Sequence, residues 1–447
     1  MIPTSSKVNP DSLKFFEKDI LWSTFVQLLG KGLHIGIGIL CTKLLTSHLE
    51  PSGYGAYGKI AEFALFFSVA GNLGLFGNSV RRFSESPKDI KLLLNTLFLR
   101  FFSAMAFYAV GLAYGIFTGF ELTFLAGMLL FMSSLLLDQL VSICDAFLQA
   151  HYKMGRAVIA HWIGRLTQLL VLLLLTLSPA EMLENAPLAL FFLAPLAASA
   201  MSLTWSLGFV AKNLGLDALK ETWRQKILDL KFMKEMLLTS LPFGIINLIN
   251  NLYYRFLPSL LIAKIVTEAV YGSYSLTLHM AGTASLLSTL LMFSSLPKIS
   301  QSLEWGLLQE ARDLYRRLKN SLWILSAVMV VSGSLLAPLA IPLVSSSSFL
   351  VNGYGFILPM LLVLTAASYL YDLAMLTLFG LKQEMWFLKR EPLALVLASG
   401  FFFIAWFVLD NPIHQVTFTL LGAIAGEFLM AALGMWKLRG VLKESTE

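Results

Sequence analysis

Residues 20–57 read ILWSTFVQLLGKGLHIGIGILCTKLLTSHLEPSGYGAY. Between Ile20 and Leu49 the only residues among Asp, Glu, Lys and Arg are Lys31 and Lys43. A bilayer-spanning helix needs about 20 mostly apolar residues, so this run is long enough to cross. Pro51, Gly53 and Gly55 then mark a turn. Upstream, the residues through Lys18 and Asp19 are polar and contain Pro and Ser. The run itself is too long for a signal-peptide core, so it reads as an uncleaved first span.

The whole chain has the same character. Of 447 residues, 57% are apolar and 13% charged, with mean hydropathy +0.73. Soluble domains carry about 45–50% apolar and about 25% charged residues. A polytopic all-α membrane protein follows. The apolar runs number about twelve, near 20–47, 59–80, 92–118, 122–148, 157–178, 186–211, 235–263, 268–296, 320–344, 354–379, 392–409 and 413–436. Run 392–409 lies at the short limit.

Charge orients the map. Alternate loops carry Lys7, Lys14 and Lys18; Arg81, Arg82, Lys88 and Lys91; Lys153 and Arg156; Lys212 through Lys234; Lys298 through Lys319; Lys382, Lys389 and Arg390; and Lys437, Arg439 and Lys443. The other loops hold Glu50, Glu121, Glu181, Glu184, Glu268 and Asp410, with Lys59 and Lys264 as their basic residues. Basic loops stay cytoplasmic. Both termini are therefore expected in the cytoplasm of a cell-membrane protein, and the net charge of +6 is topological, with no basic domain for nucleic acid. Cys41 and Cys144 lie in apolar runs and read as packed thiols.

The loop 212–234 divides the spans into lobes 1–211 and 235–447. Leu216, Leu219, Trp223, Ile227 and Leu230 recur in it at helical spacing, fitting either an amphipathic helix on the membrane or a solvated linker helix. A shift of 217 positions carries Tyr54-Gly55-Ala56-Tyr57 onto Tyr271-Gly272-Ser273-Tyr274, and Arg81 onto Lys298. Repeats with an even number of spans keep their orientation, so the lobes are parallel repeats about an axis along the membrane normal, with a cavity between them.

The segment Leu49-Glu50-Pro51-Ser52-Gly53-Tyr54-Gly55-Ala56-Tyr57 resembles the turn that closes the first helix of polysaccharide-lipid flippases. Ser240-Leu241-Pro242, Glu268 to Tyr274, Leu296-Pro297-Lys298-Ile299-Ser300, Gly353-Tyr354 and Gly380 to Glu384 resemble later segments of that family, in order and spacing over roughly the whole chain. The family belongs to the multidrug/oligosaccharidyl-lipid/polysaccharide exporter superfamily. The resemblance implies translocation of a polyprenyl-diphosphate-linked oligosaccharide between leaflets, in company with membrane lipids and other polysaccharide-assembly proteins. Many relatives carry an acid in the middle of helix seven. This chain has Asn250-Asn251-Leu252-Tyr253-Tyr254-Arg255 there, so no ion-coupling role is carried over to that place.

Ionisable groups deep in a membrane are expensive and therefore functional candidates. Gln27, Lys31 and His34 share one face of helix one. Lys31 lies roughly 16 Å past the cytoplasmic edge at 1.5 Å per residue, where it fits either an Asp partner or a cavity facing a diphosphate. Asn247, Asn251 and Tyr254 form a stripe on helix seven beside Arg255, suited to helix association or to sugar hydroxyls. Asp138, with Asp145 on the same face, fits a counter-ion of Lys31 or a proton carrier. Arg165 is a further cavity candidate. Glu62 aligns with His279 under the shift and has Lys59 three residues before it. Arg100 is shallow enough to snorkel.

Nothing else carries chemistry. No P-loop, HExxH, GxSxG or Cys/His cluster occurs, so no enzyme, cofactor or metal is expected, and energy would come from an ion gradient. The runner-up function is an ion-coupled drug or metabolite exporter of the same superfamily. A membrane glycosyltransferase is disfavoured by the short outer loops. The topology is tested by cysteine labelling. Cysteines placed at Ser52 or Ser346 are expected to react with impermeant reagents from outside and one at Ser302 is not. The reverse pattern would invert the orientation.

Overall fold

The computed structural model describes residues 10–85, 89–151, 153–177, 188–215, 228–285, 308–381 and 383–444. The two first spans are arms of one element, α1 (Pro10–Asn72), broken at Glu50 (φ 54°, ψ 178°). A residue preceding proline is pushed out of helical geometry, and Pro51 restarts the helix with its ring already fixing φ. The second arm stops at Asn72. Leu73 and Gly74 then take positive φ and lead into α2 (Leu75–Glu85). The run read as 59–80 is therefore two helices. Arg100 does not snorkel: it is 2% exposed and donates to the backbone and side-chain oxygens of Asn72, both at 2.5 Å. It satisfies carbonyl groups that the helix end leaves open.

The first lobe continues with α3 (Ile90–Phe117), α4 (Leu122–Ala150), α5 (Met154–Thr176), a 3₁₀ turn at Leu188–Phe192 and α6 (Leu193–Leu214). The second begins with α7 (Leu230–Asn251), a π-turn (Leu252–Phe256), α8 (Leu257–Ile265) and α9 (Glu268–Ala284). Then come α10 (Leu308–Val344), α11 (Ile357–Gly380), α12 (Glu384–Leu388), α13 (Glu391–Phe407) and α14 (Pro412–Glu444). The amphipathic reading of the linker falls mostly on 216–227, outside the described residues. Among the described residues, nine segments are long and apolar enough to cross a membrane. The arms of α1 and α9 bring the bundle to about twelve spans. Run 392–409 is one short helix, α13, of 17 residues, extended at its N-terminal end by α12 across a break at Lys389–Arg390. Its crossing segment is Glu384–Phe407, and Arg390 lies inside it, 4.2 Å over the Trp386 ring.

Two six-helix lobes result, and their packing repeats. In the first lobe α4 and α5 both pack on α6; in the second α11 and α13 both pack on α14. The pairs α3–α4 and α10–α11 correspond likewise. α11 forms the centre of the second lobe, where Tyr369, Leu373 and Ala374 are fully buried.

The lobes meet where the sequence repeat is clearest. A Cβ on Gly55 would strike the backbone of Glu268 and Gly272, and a Cβ on Gly272 would strike the backbone of Pro51 and Gly55. Positions 51, 55, 268 and 272 exchange under the 217 shift, so this contact is reciprocal, as a two-fold axis requires. Gly58 packs on Ser275, its own shifted partner. Gly272→Ala is expected to cost about 1–3 kcal/mol through overpacking, read as a lower melting temperature in detergent. Gly400→Ala, which meets nothing within 4 Å, is expected to leave the melting temperature unchanged or slightly raised.

Candidate functional site

A cavity of about 430 Å³ opens among α1, α4, α5 and α6 and is bordered by the second lobe. From α1 come His34, Cys41, Tyr57 and Glu62; from α4 Asp138 and Asp145; from α5 His161, Arg165 and Gln168. The second lobe supplies Arg255, Ser275 and His279. Of the residues singled out in the sequence, His34, Arg165, Arg255, Asp138, Asp145, Glu62 and His279 therefore share one cavity. The repeat partners Glu62 and His279 both face it.

Other expectations are corrected. Asn247, Asn251 and Tyr254 are not among the lining residues; Tyr254 packs into the second lobe's apolar core. Glu62 does not pair with Lys59. Lys59 reaches Glu268 across the lobes at 3.2 Å, and Glu62 receives Arg255. The side chains of Gln27 and Lys31 lie outside the described residues, and so does any pairing of Lys31 with Asp138.

The cavity's charges fall into three groups. Arg255 donates from Nε and Nη2 to the two oxygens of Glu62, both at 2.7 Å. This is the planar fork that guanidinium and carboxylate favour, and it neutralises a residue read in the sequence as an open cation. His161 Nε2 lies 2.7 Å from Asp145. Arg165 differs from both. Its Nε donates to His34 Nε2 at 2.8 Å and its Nη1 to Gln168 Oε1 at 2.6 Å. Both acceptors are neutral, because His34 can accept there only through an unprotonated Nε2. Among the described residues no carboxylate comes within ion-pair distance of Arg165. Its Nη2 has no protein partner there, yet is not sealed from the cavity. Gln168 was legible in principle, one turn beyond Arg165 on the same helix face. Asp138 also lines the cavity, exposed to it, and makes no ion pair among the described residues.

A second polar cluster lies inside the other lobe. Asn250 donates to Glu427 at 2.7 Å and to the Tyr253 hydroxyl at 3.0 Å. Tyr253 and Tyr371 donate to one oxygen of Glu391, at 3.1 and 3.2 Å. Glu391 and Glu427 are both 0% exposed. The second oxygen of each has no partner among the described residues. Glu391 was hidden in the sequence by the run Lys389-Arg390-Glu391, which reads as a loop. Tyr253 stands on the π-turn. Pro258 lacks the N–H that a regular helix would offer to the fourth residue before it, so the extra residue of the π-turn is accommodated there.

The comparisons agree with the fold. By shape the chain resembles the inward-facing conformation of a multidrug resistance MATE family transporter of the MOP superfamily, at TM-score 0.69 and 10% identity, over 95% of this chain and 99% of that one. An outward-facing conformation of a MATE family transporter matches at 0.67 and 13%, over 96% of each chain. A MOP superfamily transporter from Pyrococcus furiosus, described as having a binding pocket of reverse polarity that suggests a different function, matches at 0.67 and 12%, also over 96% of each. These likenesses show the fold. Among curated protein sequences none matches. The model of the polysaccharide biosynthesis protein family matches residues 17–303, well over half of the chain, and the chain is a member of that family.

Proposed function

We propose that this multi-pass membrane protein carries a polyprenyl-diphosphate-linked oligosaccharide from the cytoplasmic to the outer leaflet by alternating access, for cell-surface polysaccharide synthesis. The observation that carries the reading is Arg165. It is a guanidinium on the cavity wall, held in place by two neutral acceptors, with a terminal nitrogen left for a ligand. Guanidinium matches phosphate oxygens in charge and shape. Moving phosphate charge through hydrocarbon without such a partner is prohibitive. The sugars cross among Thr42, Ser142 and Gln168, which line the cavity with hydroxyl and amide groups, while the polyprenyl tail stays in lipid.

Energy enters through the second lobe. A carboxylate buried away from water and from any cation carries a proton or a bound ion. Glu427 is in that position and Glu391 beside it is nearly so. Loading and unloading of this cluster is the coupling step in this reading. Asp138 favours a second reading, export of a cationic metabolite, because it offers the cavity a carboxylate with no ion pair among the described residues.

Arg165→Gln separates the two. Hydrogen bonds to charged groups contribute about 1.5–3 kcal/mol, so glycan export in a flippase-deficient cell is expected to fall roughly 10- to 100-fold at unchanged protein level, with Arg165→Lys retaining part. Failure of the wild-type protein to restore glycan export in that cell, together with export of an organic cation that Asp138→Asn abolishes, would favour the cationic cargo. For coupling, Glu427→Gln is expected to abolish ion-driven accumulation in proteoliposomes while leaving cargo exchange across the membrane without a gradient. Full ion-driven accumulation by Glu427→Gln would remove the second lobe from the coupling step.

A further inference from the structure

The Arg255–Glu62 pair stands apart from the other charged contacts between the lobes. Arg82–Glu235 and Lys59–Glu268 also cross them, but Glu235 and Glu268 are 63% and 56% exposed. Exposed pairs contribute about 0–1 kcal/mol. Arg255 and Glu62 are 30% and 10% exposed, make two hydrogen bonds instead of one, and line the cavity itself. Among the described residues theirs is the charged bridge that a cargo in the cavity can touch. The contact lies roughly 18 Å along the second arm of α1 from Glu50, at 1.5 Å per residue, about two turns beyond the reciprocal glycine contact that joins the lobes at that end. Arg255 Nη1 has no protein partner among the described residues and is not buried.

We propose that Arg255–Glu62 is a latch between the lobes, and that an anionic cargo opens it. The proposal rests on the cargo being a diphosphate. Phosphate oxygens arriving at Nη1 meet a guanidinium whose remaining donors are shared with Glu62. Exchange of carboxylate for phosphate replaces one planar bidentate contact with another of the same kind, so the swap costs little. Its consequence is mechanical. Glu62 belongs to the first lobe and Arg255 to the second, and once Arg255 is held by the cargo no bidentate pair joins the lobes at this depth. A neutral molecule of the same size cannot make the exchange and leaves the latch shut. Arg165 has no bond across the lobes and so binds the anion without changing them. The cavity thus contains a cation that captures and a cation that reports capture.

The test uses the full-length protein in lipid nanodiscs, with Cys41 and Cys144 replaced by Ser and spin labels on Cys introduced at Thr118 and Asn411. These exposed positions lie on loops of different lobes at the Glu50 end. The probes are undecaprenyl diphosphate, inorganic pyrophosphate and neutral undecaprenol. In the labelled parent, undecaprenyl diphosphate is expected to populate a longer distance and undecaprenol is not. A response to pyrophosphate alone would assign the key to the head group. Glu62→Gln and Arg255→Gln are expected to show the longer distance with no probe added, with Glu62→Asp close to the parent. Melting temperatures establish that each variant is folded. If the parent lengthens with undecaprenyl diphosphate while folded Glu62→Gln and Arg255→Gln stay short without it, the latch is overturned and the anionic cargo stands. If the parent ignores both phosphate probes, the cargo-operated latch and the reading of the cargo fall together.

Discussion

The absence of water from the bilayer interior governs this structure. An unpartnered polar group in hydrocarbon costs several kcal/mol, so the backbone is helical and the polar side chains gather where the protein itself supplies partners. Arg100 shows the rule in its simplest form. Buried between helices, it donates through Nη1 to the open end of α1 at Asn72, while its buried Nε is left without a partner among the described residues. Lys43 does the same across the lobes, donating to the carbonyls of Pro342 and Leu343 at 3.0 Å each near the end of α10. Groups with no structural use of this kind collect in two places, the cavity wall and the core of the second lobe.

The same constraint decides what the sequence could reveal. Span number, lobe division and the axis were legible because they depend on composition and on a repeat that the chain carries openly. The 217 shift that aligns two YGxY tetrapeptides also aligns Gly55 with Gly272, and these are the residues whose backbones touch. Which groups share the cavity was also largely legible, since ionisable residues far from helix ends have few places to go. Their pairing was not. Lys59 and Glu62 stand one turn apart, and local helix geometry joins them. Instead each takes a partner in the other lobe, about 200 positions away, because a contact between lobes is fixed by tertiary packing. Glu391 was missed for a related reason. A charged run reads as solvated until a helix break at Lys389–Arg390 is seen to bury its last member.

The repeat also shows where the lobes have diverged. Under the shift, His34 corresponds to Asn251, yet His34 holds Arg165 in the cavity while Asn251 lies outside the lining set. The amide that matters is its neighbour Asn250, turned toward Glu427. One lobe has kept its polar stripe for the space between the lobes, and the other has turned it inward on its own carboxylates. Two equivalent helices thereby acquire different surroundings, His34 holding a cavity guanidinium and Asn250 holding a buried carboxylate.

Helix seven is where these two chemistries come closest. Tyr253 and Arg255 are two residues apart. In a regular helix such residues point about 200° apart, and the π-turn at Leu252–Phe256 adds a residue to the turn that carries them. Tyr253 thereby reaches Glu391 in its own lobe while Arg255 reaches Glu62 in the other. π-turns persist in helices mainly at functional sites, and this one has a physical reason to persist. It lets a single turn of backbone hold the second lobe's carboxylate cluster on one side and the bridge between lobes on the other. The contact with the carboxylate cluster and the contact with the other lobe are thus joined by the same few peptide units.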